Sequence, residues 1–532
     1  MTLLPIVERE LRAATRKRRT YWARVIAATA AVSYAGLILF GARNWRAGLS
    51  AGEMVFESLT GAAFCFCLLA GVLLTSNSLC EEKRAGTLSL LFLTDLRGYD
   101  VVLGKLMAVS LNTLQMLLGL VPVLALGATL FFSLAAGMFV SSISRQLSRA
   151  VGGAFLLITL ITIGLPIIDL SLFGELRRWA VDYVIPGPFQ AFALVSDQRF
   201  ALPPNTFLPS VAFTLALSAG FLALASRILP RVCLDDSRRF WISGWQERWQ
   251  RLLAGESGGD QRRRRRRILL RNPVYWLSSR QRWKWLYLWT FICLALGVWL
   301  FCLSHFGYAG RRYSLLIFLC LTPALHIILK MAIAAEAAER LSGSRSSGEL
   351  ELLLVTPISV EKICRGHFRA LQRQFAFPVL VISLVDLLLI LIGGELIGEQ
   401  GSENVIRFLW VWAMLIMLFI DAPALAWVGL WQGLHAPNSL AAFMRTLLRV
   451  LLWPWFVFFL SLVISPSFLL FGFFSDSTDG WYLGAIIWWW VVGFAMNAIY
   501  SRNAIAQLHE EFRRLAVGRS FAKMEAAAAV RP

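Results

Sequence analysis

The chain has 532 residues, 58% of them hydrophobic, and a mean hydropathy of +0.63. Soluble domains are about 45–50% apolar, so the composition excludes an ordinary soluble protein and predicts a membrane protein. The formal net charge is +20. In so apolar a chain, we assign the excess of basic residues to cytosolic loops facing anionic membrane lipid, and expect no nucleic-acid partner. The five histidines lack the spacing of ligands, so we predict no metal site.

The N-terminal residues 5–19, PIVERELRAATRKRR, predict an amphipathic helix that lies in the membrane interface. Basic residues 16–19 precede the first apolar run, and they predict a cytosolic N-terminus by the positive-inside rule. We expect no cleavable signal peptide in this region. The residues assigned to the interfacial helix are Pro5, Arg9, Glu10 and Arg12.

One polar segment occurs twice, each time between apolar runs. The first copy, EEKRAGTLSLLFLTDLRGYDVVLGK, covers residues 81–105, and the second, SRSSGELELLLVTPISVEKICRGH, covers residues 344–367. The copies align without gaps at a constant offset of 262 residues, which indicates two related halves. The matched positions are Gly86 with Gly348, Leu88 with Leu350, Leu91 with Leu353, Thr94 with Thr356, and Gly104 with Gly366.

The apolar runs are long enough for membrane-spanning helices, which need about 20 residues each. We therefore predict an all-α polytopic membrane protein with about twelve transmembrane helices in two pseudo-symmetric six-helix halves. The predicted regions are a first half at 1–230, a basic cytosolic linker at 231–271, a second half at 272–500, and a cytosolic tail at 501–532.

The third and fourth spans of the first half are predicted to be short. Between residues 106 and 142, two crossings share about 36 residues and turn near 122–127, against about 20 residues per span. In the second half, a polar loop at 393–404 separates the corresponding spans. The sequence leaves open a shortened, partly re-entrant hairpin or a deletion.

The repeated segment resembles the loop between the second and third spans of ABC-2 type transporter permeases. In that family, an acidic-basic lead is followed by Gly-Thr-Leu-Glu-Leu-Leu, a Thr-Pro turn, and a Gly-Lys that opens the third span. The N-terminal PIVERELR is also similar to that family. The chain departs from the pattern at Ser89, Asp95 and His367, where Glu, Pro and Lys are expected, and the second copy lacks the acidic lead.

The resemblance implies a permease subunit, usually an exporter, in a bacterial inner (plasma) membrane with both termini in the cytosol. It also implies that the chain is not an enzyme and binds no cofactor, because ATP is held by a separate ATPase partner, present in two copies. The sequence agrees, since GYDVVLGKL at 98–106 fails the P-loop pattern: five residues separate its glycines and Leu follows its Lys. Lipid is the other expected partner.

Each repeated segment would be a coupling helix that docks on the ATPase. Apolar residues recur at i, i+3 and i+4, with charged residues at the rim. So short a helix is marginal alone in water, so it should pack on a partner, on its own spans, or on the bilayer as an ordinary amphipathic loop. The candidate docking residues are Glu82, Arg84, Gly86, Thr87, Leu88, Leu91, Phe92 and Thr94 in the first copy, and Gly348, Glu349, Leu350, Glu351, Leu353, Leu354, Thr356 and Pro357 in the second.

Ionisable residues within or near the spans are few, and such groups are functional candidates by default. Lys330 and Asp421 lie in different spans of the second half and could pair. The others, for which we expect structural or interfacial roles, are Glu57, Asp169 and Asp386.

Two other functions compete with the permease. A secondary active transporter of the major facilitator type also has two six-helix halves, and LTDLRGYD superficially fits its loop, but neither copy supplies the G-x-x-x-D-[RK]-x-G-[RK] pattern. Buried charges along a pathway are also expected to be scarce here. A polytopic membrane enzyme would need clustered carboxylates or histidines, which the sequence does not show. The transported substrate stays open.

Overall fold

The computed structural model shows a helical protein that divides into two compact units, Met1–Ala254 and Gly255–Pro532. Within the part of the chain that it describes, every regular element is a helix. The described residues are 51–76, 79–80, 83, 98–117, 123–144, 147–166, 186–194, 207–234, 272–279, 289–290, 292–293, 296–297, 307–397, 402–464 and 478–528.

Seven helices in these ranges are long and apolar enough to cross a membrane. This agrees with the predicted all-α, multi-pass membrane protein. The candidate spans are Val55–Thr75, Ala125–Ile143, Leu147–Gly164 and Phe207–Pro230 in the first unit, and Val360–Leu388, Val411–His435 and Ser439–Phe458 in the second.

The described helices of the first unit are α1 (Ala51–Ala70) with a π-helical turn (Gly71–Thr75), α2 (Gly98–Leu117), α3 (Val123–Ile143), α4 (Leu147–Thr159) with a π-helical turn (Leu160–Gly164), α5 (Pro188–Ala193) and α6 (Phe207–Leu234). Helix α3 is central, because it contacts most of the others. Its buried apolar side chains pack against α1, α2 and α6, and the core includes Leu134, Met138 and Leu222.

The region predicted as a shortened hairpin forms two helices of ordinary length. Helix α2 has 20 residues and α3 has 21, and the two are in contact. The sequence predicted that the third span starts after Lys105, whereas α2 already includes Gly98. The helix therefore includes polar residues such as Asp100 that hydropathy assigns to the loop.

The second unit is dominated by helices that are longer than a membrane is thick. Helices α8, α10 and α14 have 40, 38 and 51 residues, which corresponds to lengths of about 57–77 Å at 1.5 Å per residue against a hydrocarbon core of ~30 Å. The helices are α7 (Pro273–Ser279), α8 (Gly307–Ser346), α9 (Glu349–Val355), α10 (Val360–Ile397), α11 (Ser402–His435), α12 (Ser439–Leu447) with a π-helical turn (Leu448–Leu452), α13 (Trp453–Ile464) and α14 (Thr478–Ala528).

The predicted polar loop at 393–404 is largely helical. Helix α10 continues through Gly393 and Gly394 to Ile397, and α11 begins at Ser402. Glycine lowers helix stability by about 1 kcal/mol but does not prevent a helix that is already long.

Several predicted features lie outside the described residues. They are the N-terminal interfacial helix with Pro5, Arg9, Glu10 and Arg12, residues 235–271 of the linker predicted at 231–271, and Asp169. The same holds for the first-copy docking residues Glu82, Arg84, Gly86, Thr87, Leu88, Leu91, Phe92 and Thr94.

Candidate functional site

The second copy of the repeated segment forms a short helix, α9, between two long ones. Helix α8 ends at Ser346, and Gly348 follows with φ of +77°. This left-handed backbone, which favours glycine, reverses the chain and starts α9 at Glu349. At the other end, the Thr356 N–H donates to Leu353 O at 3.2 Å, and α10 begins four residues later at Val360.

Helix α9 has one anchored side and one exposed side. Leu350 is fully buried (0% exposed), and α9 contacts α8 and α14. On the other side, Leu352 is 73% exposed and Val355 is 87% exposed. No described candidate span includes α9. Exposed apolar side chains on a short helix are typical of a surface that is covered by a partner or by lipid.

The predicted second-copy docking residues are therefore divided between the two sides. Leu350 holds α9 to its own unit, and Leu353 and Leu354 are half-buried. The outward apolar residues, Leu352 and Val355, were not among the predicted ones. The remaining predicted residues are exposed or half-buried, namely Gly348, Glu349, Glu351, Thr356 and Pro357.

A basic residue near the start of each repeated segment binds the end of a neighbouring helix. In the second unit, the Arg345 guanidinium donates to Leu434 O and Ala436 O at the carbonyl end of α11. In the first, the Lys83 ammonium donates to Ser141 O and Ser142 O at the carbonyl end of α3. Lys83 and Arg345 are 262 residues apart. Both satisfy carbonyls that lack helical partners and oppose the negative end of the helix dipole.

Helix α7 is fixed to the beginning of α10, close to α9. The Asn272 side chain caps α7 by accepting from Val274 N at 3.0 Å, and its Nδ2 donates to Lys362 O at 2.8 Å. A Cβ at Gly366 would lie 3.0 Å from Asn272 Oδ1, so glycine permits this close approach. Gly366, which the repeat matches with Gly104, is thus a position where two helices meet closely.

Two further contacts join α7 to α10. Ser278 Oγ lies 3.1 Å from His367 Nδ1, and Arg373 Nη1 donates to Tyr275 Oη at 3.1 Å. His367, which departs from the family pattern, is thus part of this attachment. Helix α7 is thus bound to the N-terminal part of α10.

The interior of the second unit contains two ionisable pairs. Lys330 Nζ lies 2.6 Å from Asp421 Oδ2, and Asn497 Nδ2 donates to Asp421 Oδ1 at 2.6 Å. One helical turn from Lys330, His326 Nε2 lies 2.8 Å from Asp386 Oδ2, with both side chains buried. The predicted pairing of Lys330 with Asp421 is confirmed, and helices α8, α10, α11 and α14 all contribute to this cluster.

The cluster of buried charges extends along α8 toward α9. Arg340 Nη2 donates to Gln374 Oε1 at 2.6 Å, and Arg340 Nε lies 3.4 Å from Glu336 Oε1. Arginine stays charged even where it is buried, so Arg340 is a buried cation. The described second unit therefore contains more buried ionisable residues than Lys330, Asp386 and Asp421, which the sequence singled out.

The sequence held a signal for the residues that were missed. His326 precedes Lys330 by four residues within an apolar run, which places both on one helix face. Lys83 and Arg345 share the offset of the repeat, but they lie just outside its best-matched positions. Glu57, also a candidate, is exposed on α1. Comparison with known protein families, with characterised proteins and with solved structures gives no match to this chain.

Proposed function

We propose that the chain is the permease subunit of an ABC-2 type ABC transporter, working as an exporter in a bacterial inner membrane. A separate ATPase, in two copies, would supply the energy by binding to the repeated segments. The observation that carries this proposal is α9, which holds Leu352 and Val355 exposed outside the candidate spans. A partner that covers them would gain the free energy of burying two aliphatic side chains, about 1.5–3 kcal/mol each.

The contacts around α9 suit a coupling element. Leu350 anchors α9 inside the unit, Arg345 joins the preceding residues to the end of α11, and α7 braces the start of α10. A displacement of α9 by a partner would therefore act on several helices. The function of Leu350 in this proposal is to hold α9, and that of Leu352 and Val355 is to bind.

The experiment is affinity capture of the tagged full chain from detergent-solubilised membranes, with mass spectrometry and an ATP hydrolysis assay on the captured complex. We expect a P-loop ATPase with the wild-type chain. Leu352→Glu and Val355→Glu should each reduce its recovery about tenfold, as loss of a central apolar contact does.

Val355→Leu is the matched control, because it keeps an apolar side chain at the same exposed position, and it should retain the ATPase. Both glutamate variants place charge on a solvent-facing surface, so they should elute as the wild type does in size-exclusion chromatography. Equal recovery of the ATPase by Val355→Glu and Val355→Leu would contradict the proposed docking surface.

A secondary active transporter is the second candidate, and the buried pairs His326–Asp386 and Lys330–Asp421 favour it. Ionisable groups inside a membrane protein commonly mark ion pathways. A well-folded chain that captures no ATPase under any condition would support this second function against the first.

A further inference from the structure

A polar cavity lies where α11, the turn after α12, and α14 meet in the second unit. Its volume is about 340 Å³, within the lower range of small-molecule sites. Buried Trp431 and Ala504 form its apolar side, and exposed Arg449 and Gln507 lie at its polar side. The complete lining is Val428, Trp431, Arg449, Tyr500, Asn503, Ala504 and Gln507.

The charge of this lining favours an anion. Arg449 is its one cation, the other polar lining residues are neutral, and no carboxylate lines the cavity. Within the described residues, the Arg449 guanidinium makes no hydrogen bond or ion pair. Arginine binds phosphate oxygens with two parallel N–H donors, so a phosphate group suits this position.

The position of the cavity favours a lipid source for that phosphate. Trp431 lies four residues before the end of α11 at His435, and Tyr500 ends the apolar part of α14. Trp and Tyr are enriched at the level of lipid headgroups. Leu448 and Leu452, beside Arg449, are exposed as lipid-facing side chains are. The cavity thus offers donors to a headgroup and an apolar surface to the acyl chains that leave it.

We propose that this cavity binds the phosphate of an anionic phospholipid, with Arg449 as the principal contact and Asn503 and Gln507 as further donors. This site is independent of the proposed ATPase surface on α9. Basic pockets between helices at the cytosolic face are known chemistry for anionic headgroups. A headgroup bound here would join α11, the π-helical turn after α12, and α14.

The test is native mass spectrometry of the full-length chain in detergent, titrated with phosphatidylglycerol and, in parallel, with zwitterionic phosphatidylcholine. Arg449→Gln should lower the apparent affinity for phosphatidylglycerol about tenfold, as loss of a charge-assisted contact does. Ala504→Leu, which fills the cavity and keeps the charge, should lower it similarly. Phosphatidylcholine, whose phosphate charge is balanced by its choline cation, should bind more weakly than phosphatidylglycerol to the wild-type chain.

Arg502→Gln is the matched control, because Arg502 is an exposed cation on α14, next to the lining residue Asn503, that does not itself line the cavity. It should bind phosphatidylglycerol as the wild type does. Equal losses in Arg449→Gln and Arg502→Gln would overturn the proposal and indicate a diffuse basic surface. Arg449 is exposed, so Arg449→Gln should fold. Its affinity for phosphatidylglycerol therefore tests the proposal even if Ala504→Leu does not fold.

A third arm distinguishes the source of the phosphate. Inorganic phosphate, added as a competitor, lacks the acyl chains that would contact Val428 and Trp431, so it should not displace phosphatidylglycerol at comparable concentration. Displacement at comparable concentration would overturn the lipid assignment and make the cavity a site for free phosphate.

Discussion

Each unit contains a pair of helices that approach closely at a glycine, and the two pairs differ in the residues buried beside that contact. In the first unit, the π-helical turn after α1 packs on α3, and a Cβ at Gly71 would overlap the carbonyl of Ser133. In the second, α8 packs on α11, and a Cβ at Gly429 would lie 2.6 Å from that of Ala337. Small residues let helix backbones approach in both pairs.

The pairs differ in what lies beside this contact. The second contains Lys330, bound to Asp421 of α11, and His326 one turn earlier. At the positions 262 residues earlier, α1 has Leu68 and Phe64. The close approach is therefore common to the pairs, and the charges are an addition in one of them. Because buried charges are costly unless they are paired, this addition points to a role that stability alone does not require.

The largest effect should come from breaking the added pair. Lys330→Met leaves a buried carboxylate and Asp421→Asn leaves a buried ammonium, so each should lower the free energy of unfolding by about 3–5 kcal/mol. The double variant removes both charges and leaves an acceptor for Asn497, so it should recover most of the loss. Denaturant unfolding followed by circular dichroism measures this cycle.

Leu68→Met is the control in the first unit, because it changes an apolar residue at the repeat-related position. We expect a cost below about 1.5 kcal/mol. If the double variant is as unstable as the two single losses added together, Lys330 and Asp421 do not compensate each other. That result would contradict the view that a compensating charge pair distinguishes the second unit from the first.

An intermediate effect should come from the shared glycine contacts. Gly71→Ala and Gly429→Ala both force the helices apart, so each should cost about 1–3 kcal/mol. Gly71 should be the more sensitive, because its added Cβ would overlap the Ser133 carbonyl directly, whereas that at Gly429 would lie 2.6 Å from the Ala337 Cβ. Gly61→Ala, on α1 with nothing within 4 Å, should be neutral or stabilising in the same unfolding assay.

The smallest effect should come from the two basic residues at the helix ends. Lys83→Met and Arg345→Met each remove donors to terminal carbonyls, and we expect losses of about 1–2 kcal/mol. Arg345→Lys should lose part of this stability, because one ammonium replaces a fork that reaches two carbonyls. Unaltered thermal unfolding in both methionine variants would show that the shared cation contact is incidental.

Hydropathy predicted the helical membrane class and the approximate place of most described spans, because apolar runs and bilayer thickness are physically linked. It did not predict where helices end. Helix α2 already includes Gly98 and Asp100, and α10 runs past Gly393, since a long helix continues into polar residues once its turns are formed.

The candidate site was predictable in part. The pairing of Lys330 with Asp421 followed from opposite charges in two apolar spans. The burial of Leu350 did not, because the periodicity of α9 shows that it has an apolar side but not which neighbour covers it. Arg345 binds carbonyls that belong to a helix 89 residues away, and no local pattern reports such a contact.

Helix α14 connects α9 with the buried Lys330–Asp421 pair. This single helix of 51 residues contacts α9 and also carries Asn497, which holds Asp421. No loop within α14 separates the two contacts, so a tilt of the helix moves both together. A displacement of α9 that tilts α14 would therefore also move Asn497. The hydrogen bond from Asn497 to Asp421 would transmit this movement to the buried Lys330–Asp421 pair.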